Sequence, residues 1–390
     1  MDALILRASV NSLSAARSLG RAGLEVVVAS PPEDPAVPYS RYVSKFIALD
    51  ALDEAAVERL LALVPEGAQR PFLFATGDED VLLVARHRER LAEKYVFVIP
   101  DYEGVMAVVD KARLYATAEA YGIPHPRFAV VKAAEAIDAA VEQVRTPCYV
   151  KPALGHEWRR KRRGKLERAT DAAELRRILR DFLELRQTAV PLEIIPGEDS
   201  DLYGLCTYID RAGEPLGWRT KRKLRQYPIG IGDGSLQEIV DEPEVAALGL
   251  RLLAVTGHRG AATVEFRKDP RDGRFVLMEI NVRTVSGQEL VTRSGLDVPL
   301  VAYRDAMGLP VSPPPPRQVR WFRFGLDFRA FRDLRKAGRL TTLRWLASVL
   351  PSRSFAYFAW DDPLPFLVRF GNWLERHLRG QFRRQPGPNL

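Results

Sequence analysis

Cysteine is almost missing from this 390-residue chain; only Cys148 and Cys206 are present. A disulfide scaffold and a four-cysteine zinc site are therefore excluded. The five histidines are scattered and form no HExxH and no paired ligand spacing. No apolar run approaches the roughly 18 residues that a membrane-spanning helix requires. The first apolar run, residues 3–6, follows Asp2, with no basic start and no small-residue cleavage site. These absences lead us to expect the reducing cytoplasm. The turn after that run reads ASVNSLS, so the GxGxxG dinucleotide fingerprint is absent, and GxxxxGK[ST] is missing as well. Glycine (27) and proline (28) stay near average, which excludes collagen-like and low-complexity chains.

What remains is a globular composition, 46% hydrophobic and 28% charged, at a length suited to two or three domains. The net charge of +8 is unevenly placed. Residues 311–390 carry 15 Lys/Arg against 5 Asp/Glu, whereas residues 1–310 carry 43 against 45. The excess basicity belongs to the tail. Nucleic acid, anionic lipid, or a solvated or self-packed surface would each suit such a tail.

Local patterns give a coarse map. Residues 2–7 and 24–30 read as buried strands around a helix over 12–22, which implies a parallel βαβ unit. Residues 72–76 and 95–100 read as later strands, with a helix over 79–93 between them. The first third is thus a small doubly wound α/β domain. A helix is expected over 110–121, strands at 127–131 and 146–152, and helices near 133–144 and 171–187. Residues 192–210 turn at Pro196-Gly197 and become a strand. Residues 249–257 read as helix. Residues 230–237 read as a flexible glycine-rich loop, and 313–316 as a stiff proline linker. Cys148 and Cys206 read as small core residues.

The most informative segment is 261–283. In a strand, alternate residues share a face. Glu279, Asn281 and Arg283 therefore project together, and Val276, Met278, Ile280 and Val282 project to the other side. A hairpin centred on Asp272 sets Glu265 opposite Glu279. Two facing carboxylates repel unless a cation lies between them, and these oxygen donors suit Mg²⁺. Arg283 would then hold a phosphate. An internal ion-pair patch, Glu279 with Arg283 or Arg267, is the alternative that the pattern leaves open.

GAATVEF followed by VLMEINVR resembles the metal-binding end of the ATP-grasp superfamily, whose signature reads Glu…Glu-x-Asn-x-Arg. DKARLYATAEAYGIPHPR resembles the stretch that opens that fold, PCYVKPALG its phosphate-loop strand, and PLEIIPGED its hinge. The likeness covers about 1–310, and RKLRQYP (222–228) is similar to the carboxylate–amine ligases related to D-aspartate ligase. The resemblance implies a pre-ATP-grasp α/β domain at 1–110, an ATP-grasp domain at 111–310, and a basic, aromatic, helical extension at 311–390. It also implies ATP and Mg²⁺ as cofactors, with Mn²⁺ a compatible substitute. In this reading Lys151 touches the α/β-phosphates and Lys111 frames the nucleotide. Backbone groups near Ile194 and Ile195 meet the adenine, beside the hinge glutamate Glu193. Glu198 accepts from the ribose hydroxyls. Glu265, Glu279 and Asn281 hold the metal, and Arg283 stabilises the transferring phosphoryl group. Arg222, Lys223 or Arg225 lies near that phosphate or a carboxylate substrate. His156 and the basic run 159–163 stand where the family loop is richer in glycine or serine.

The implied reaction is ATP-dependent joining of a carboxylate to an amine, amino acids being candidate substrates. An ATP-grasp kinase that phosphorylates without ligation, and a non-catalytic nucleotide- or nucleic-acid-binding module, are the alternatives. Retention of the four hairpin residues opposes the module, and no nucleic acid is expected. In the tail, residues 320–334 interleave Arg with Trp and Phe. Phe366, Leu367, Phe370, Trp373, Leu374, His377 and Leu378 recur at helical spacing, with Arg369, Arg376 and Arg379 off that face. Such a face either docks onto its own protein or lies on an anionic membrane, at the inner membrane surface, near a lipid-linked substrate. Residues 387–390 carry nothing to order them.

Overall fold

The computed structural model describes residues 1–162 and 164–378, apart from the side chains of 159, 160 and 376–378. Arg163, Arg379 and residues 387–390 lie outside the described residues. Four short apolar strands open the chain: β1 (Ala3–Leu6), β2 (Val26–Ser30), β3 (Lys45–Ala48) and β4 (Phe72–Ala75). They form a parallel sheet in the order β3-β2-β1-β4. β1 and β2 are buried along their whole length because helices cover both faces. On one face pack α2 (Glu54–Ala62), α3 (Asp78–Arg86) and α4 (Arg88–Lys94), through Val57, Leu60, Val84 and Leu91. On the other lies α1 (Val10–Arg21), whose Ser9 cap accepts from the amides of Asn11 and Ser12. The expected single helix over 79–93 is broken at His87 into α3 and α4. Residues 95–100 are not a strand; one bridge, Phe72 to Val96, is all the pairing they make.

α5 (Tyr102–Val109) and α6 (Lys111–Ala120) lead into a three-stranded antiparallel sheet, order β6-β5-β7. Its strands are β5 (Cys148–Pro152), β6 (Glu167–Ala169) and β7 (Ala189–Glu193). Residues 127–131 run beside β7 but contribute only isolated bridges. α7 (Ile137–Gln143) and α9 (Ala172–Glu184) back this sheet around Trp158 and Phe182, which stack at 4.2 Å. Residues 155–161, expected within a loop, form α8 (Gly155–Lys161) instead, anchored by buried Trp158.

The large sheet has seven strands in the order β12-β11-β8-β9-β10-β13-β14. They are β8 (Leu202–Ile209), β9 (Pro215–Tyr227), β10 (Asp233–Val240), β11 (Gly260–Lys268), β12 (Phe275–Asn281), β13 (Arg320–Phe322) and β14 (Ser354–Phe355). α10 (Pro243–Val255), α11 (Gln288–Arg293) and α12 (Val298–Ala306) pack on it, and α12 also closes the first sheet through Val298 and Val301. The glycine-rich stretch 230–237 is mostly strand β10, with only its first residues in the turn. There Gly232 is required, since a Cβ would sit 1.9 Å from the carbonyl carbon of Tyr227.

The tail is not an appendage. β13 extends the large sheet antiparallel to β10, and Trp321 on it is fully buried. α13 (Phe324–Lys336) and α14 (Thr342–Val349) follow, and α15 (Leu364–Leu378) closes the described chain. Arg225 on β9 donates twice to Asp327 on α13, both at 2.9 Å. Asp327 also accepts from Ser235 and from Trp345 Nε1. Arg17 on α1 pairs with Asp362 at 2.9 Å, both about 1% exposed. Of the expected apolar face of α15, Phe366 meets Phe358 edge to face at 5.7 Å, whereas Leu367, Phe370, Trp373 and Leu374 stay 38–54% exposed.

Candidate active site

One cleft of about 780 Å³ runs between the small and large sheets and reaches the loops of the first domain. Its walls follow from strand alternation. β11 and β12 pair in the expected register, with Glu265 opposite Glu279 and Thr263 opposite Asn281. A bulge then sits between Glu265 and Phe266. The bulge shifts the alternation, so Leu277 is buried and Met278, expected in the core, lines the cleft. Tyr115 on α6 donates to the Met278 carbonyl at 2.7 Å and braces this strand.

The cleft gathers Lys111, Lys151, Glu193, Ile194, Ile195, Lys223, Glu265, Glu279, Asn281 and Arg283. Lys151 lies on β5, and burial, opposed by Glu279, pushes its ammonium down to about 8. Lys111 starts α6, whose cap Asp110 accepts from Ala112 N, and whose first amide donates to Ala153 O at 3.1 Å. That bond ties the helix start to the end of β5. Lys223 Nζ lies 2.8 Å from Glu265 Oε2. Burial alone would raise the Glu265 carboxyl, but Lys223 and Lys221 outweigh it and hold it below the usual range. Asn281 donates to Glu279 at 3.3 Å, and Arg283 donates to Asn281 Oδ1 at 3.1 Å. Arg283 also donates from Nε to Asp78 Oδ1 at 2.8 Å. Thus the hairpin face is joined to the first domain by a guanidinium–carboxylate bridge rather than by the Glu279–Arg283 pair. Glu193 faces Arg271 at 2.8 Å and Arg127 at 3.3 Å, which hold its carboxyl low despite burial.

Three expected residues stand apart. Arg222 is on the opposite face of β9 from Lys223 and pairs with Glu238 at 2.6 Å. Arg225 is spent on Asp327. Glu198 is exposed, is not among the cleft-lining residues, and pairs with Arg339 of the extension. The cleft in turn contains side chains that the sequence reading passed over. Lys221 shares the Lys223 face and donates to Gln237 at 3.0 Å; simple alternation along β9 would have found it. Asp78 follows a parallel strand at its carboxyl end, where open α/β sheets place ligands. Lys165 reaches across to Asp233 at 2.8 Å. Arg323, Tyr357 and Arg369 come from the tail and carried no local signal.

Among the described residues no group of three or more His, Cys, Asp and Glu converges on one point. Two carboxylates and an amide do converge; Lys223 pairs with Glu265, and Asn281 bonds to Glu279. That donor set fits a hard divalent ion that keeps water and phosphate oxygens in its shell.

This architecture, a small lid sheet and a large sheet closing on a cleft beside a doubly wound domain, is the ATP-grasp fold. The structure matches N5-carboxyaminoimidazole synthetase from Staphylococcus aureus, solved with ADP, at a TM-score of 0.63 and 18% identity, over 82% of this chain and 80% of that one. It matches the biotin carboxylase domain of 2-oxoglutarate carboxylase from Hydrogenobacter thermophilus, solved with MgADP, ADP and bicarbonate, at 0.61 and 17%, over 79% and 70%. In sequence it is 24% identical over 262 residues to D-aspartate ligase of Enterococcus faecium (strain Aus0004). That alignment spans 63% of this chain and 62% of the relative. No protein-family model matches the chain.

Proposed function

We propose that the chain is an ATP- and Mg²⁺-dependent ligase that joins a carboxylate to an amine through an acyl phosphate. The observation that carries this reading is the in-register Glu265–Glu279 pair, with Asn281 and Arg283 on the same wall, facing Lys151 across one cleft. Kinship with D-aspartate ligase supports amino acids as the substrate class. Glu265, Glu279 and Asn281 would hold the metal, which neutralises phosphate charge when bound. Lys151 and Lys111 would hold the phosphates, and the Ile194–Ile195 backbone beside Met278 and Glu193 would hold the base. A substrate carboxylate oxygen attacks the γ-phosphorus and the bond to the β-phosphate oxygen breaks, releasing ADP. The amine nitrogen then attacks the acyl carbon, loses a proton and expels phosphate. Lys223 and Arg283 balance the charge that builds on the transferring group, so catalysis is mostly positioning and electrostatics. No side-chain nucleophile is needed. Arg283 is held in place from the first domain by Asp78.

The exposed Leu367, Phe370 and Trp373 of α15, in a tail with 15 Lys/Arg against 5 Asp/Glu, support peripheral contact with an anionic membrane carrying a lipid-linked substrate. We infer a cytoplasmic enzyme at the inner membrane surface. A screen of ADP release across amino acids and carboxylates, with and without an amine, tests the ligase reading. Amide product with stoichiometric ADP and phosphate supports it. A stable phosphorylated product with no amide would establish the kinase instead.

A further inference from the structure

The extension brings into the cleft a cation, Arg323, that no carboxylate pairs with among the described residues. Arg323 follows β13, and its backbone amide donates to Ser235 O at 2.9 Å, which fixes its Cα at the edge of β10. Its half-buried side chain lines the same cleft as Lys151 and Lys223. Its guanidinium makes no hydrogen bond or close ion pair among the described residues. Its charge is felt at a distance by Asp233 and Tyr357. The other arginines of this end are occupied: Arg7 by Glu33, Glu79 and Asp80, Arg283 by Asp78, and Arg369 by Asp34 at 3.2 Å. The nearby acids are occupied too. Asp233 holds Lys165, and Asp34 accepts from Tyr357 as well as Arg369. The support is rigid, because Asp327, four residues on, is fully buried and holds Arg225, Ser235 and Trp345.

A half-buried guanidinium that no carboxylate of the described residues holds, on a rigid support, is available to a ligand, and its planar fork matches a carboxylate. Resting on the ligase reading, we propose that Arg323 binds a second, non-reacting carboxylate of the substrate, so that the extension selects dicarboxylic substrates. The reacting carboxylate belongs at the hairpin end, with Lys223 and Arg283. Arg323 stands apart from it on the β10–β13 edge.

The test is calorimetric titration of the full chain, loaded with MgADP, with succinate, aspartate and alanine. Succinate and aspartate should bind at least about tenfold more tightly than alanine, and Arg323→Ala should weaken them about 10- to 100-fold, the range of a charged hydrogen bond. Arg323→Lys should recover part of the loss, and neither variant should change ADP affinity or thermal midpoint. Dicarboxylates that bind no better than alanine, or that bind Arg323→Ala as well as wild type, would overturn the proposal. Failure of the wild-type chain to bind MgADP counts against the ligase reading instead; the same Arg323 comparison with succinate on the unliganded chain then decides this proposal.

Discussion

The β11–β12 hairpin and the C-terminal extension line the same cleft and treat charge in opposite ways. The hairpin holds two carboxylates face to face at Glu265 and Glu279, Glu265 paired with Lys223 and Glu279 bonded to Asn281. The extension is rich in guanidinium groups, yet most of those that face the body of the protein are matched. Arg320 has Glu238, Arg339 has Glu198, and Arg369 has Asp34. Its own acids do the anchoring, Asp327 on Arg225 and Asp362 on Arg17. The difference teaches that a segment's charge balance says little until the partners are known. Among the described residues, a basic tail that reads as lipid- or nucleic-acid-binding is anchored to the body through its own acids, and it leaves apolar residues of α14 and α15 exposed.

If the extension is structural, breaking its anchors should have the largest effect. Asp362→Ala leaves Arg17 buried and unpaired, and Asp327→Ala does the same to Arg225. Each should cost about 3–5 kcal/mol, read as a clear fall in thermal midpoint. A change under about 1 kcal/mol would mean that the extension packs only loosely. The hairpin should respond in the other way. Glu279→Gln should keep the fold and lower Mg²⁺-dependent ADP release about 10²–10³-fold, or about 3–4 kcal/mol; full activity would remove the metal assignment.

The hairpin was legible because strand alternation and the symmetry about Asp272 are local, and the Glu265–Glu279 register follows from counting. Met278 was not, because a bulge flips parity without any glycine or proline to announce it. Arg222 and Lys221 exchanged roles because WRTKRKLRQ, dense in charge, hides a strand with two cationic faces. One meets the cleft and the other meets Glu238 and the extension. The fold class was legible in the βαβ start and the ordered motifs. Arg323 was not, since its place depends on β13 joining β10 across about 85 residues of chain.

A smaller effect concerns Lys151. Its ammonium, pushed down to about 8 by burial, is charged below that pH and neutral above it. Phosphate contact favours the charged form. ADP affinity in metal-free buffer should therefore fall as pH rises through 8, with proton uptake on binding. Lys151→Ala should abolish that dependence and weaken ADP far more than adenosine; equal losses for both ligands would contradict the phosphate role. The smallest effect belongs to α15. The tail's anchors to the body reach as far as Asp362, so the informative truncation ends at Pro363 rather than before Pro313. The full chain should co-sediment weakly with anionic vesicles at low salt, and the truncated chain should not. Equal behaviour of the two would leave the exposed face without a membrane role.

The central claim is that the hairpin face and Lys151 together hold a metal-bound nucleotide. Titration of ADP into the full chain with and without Mg²⁺, in wild type and Glu279→Gln, tests it without knowledge of the substrate. The account predicts that Mg²⁺ tightens ADP binding about tenfold or more in wild type and has no such effect in Glu279→Gln, which still binds ADP in metal-free buffer. An equal Mg²⁺ effect in both proteins would contradict it.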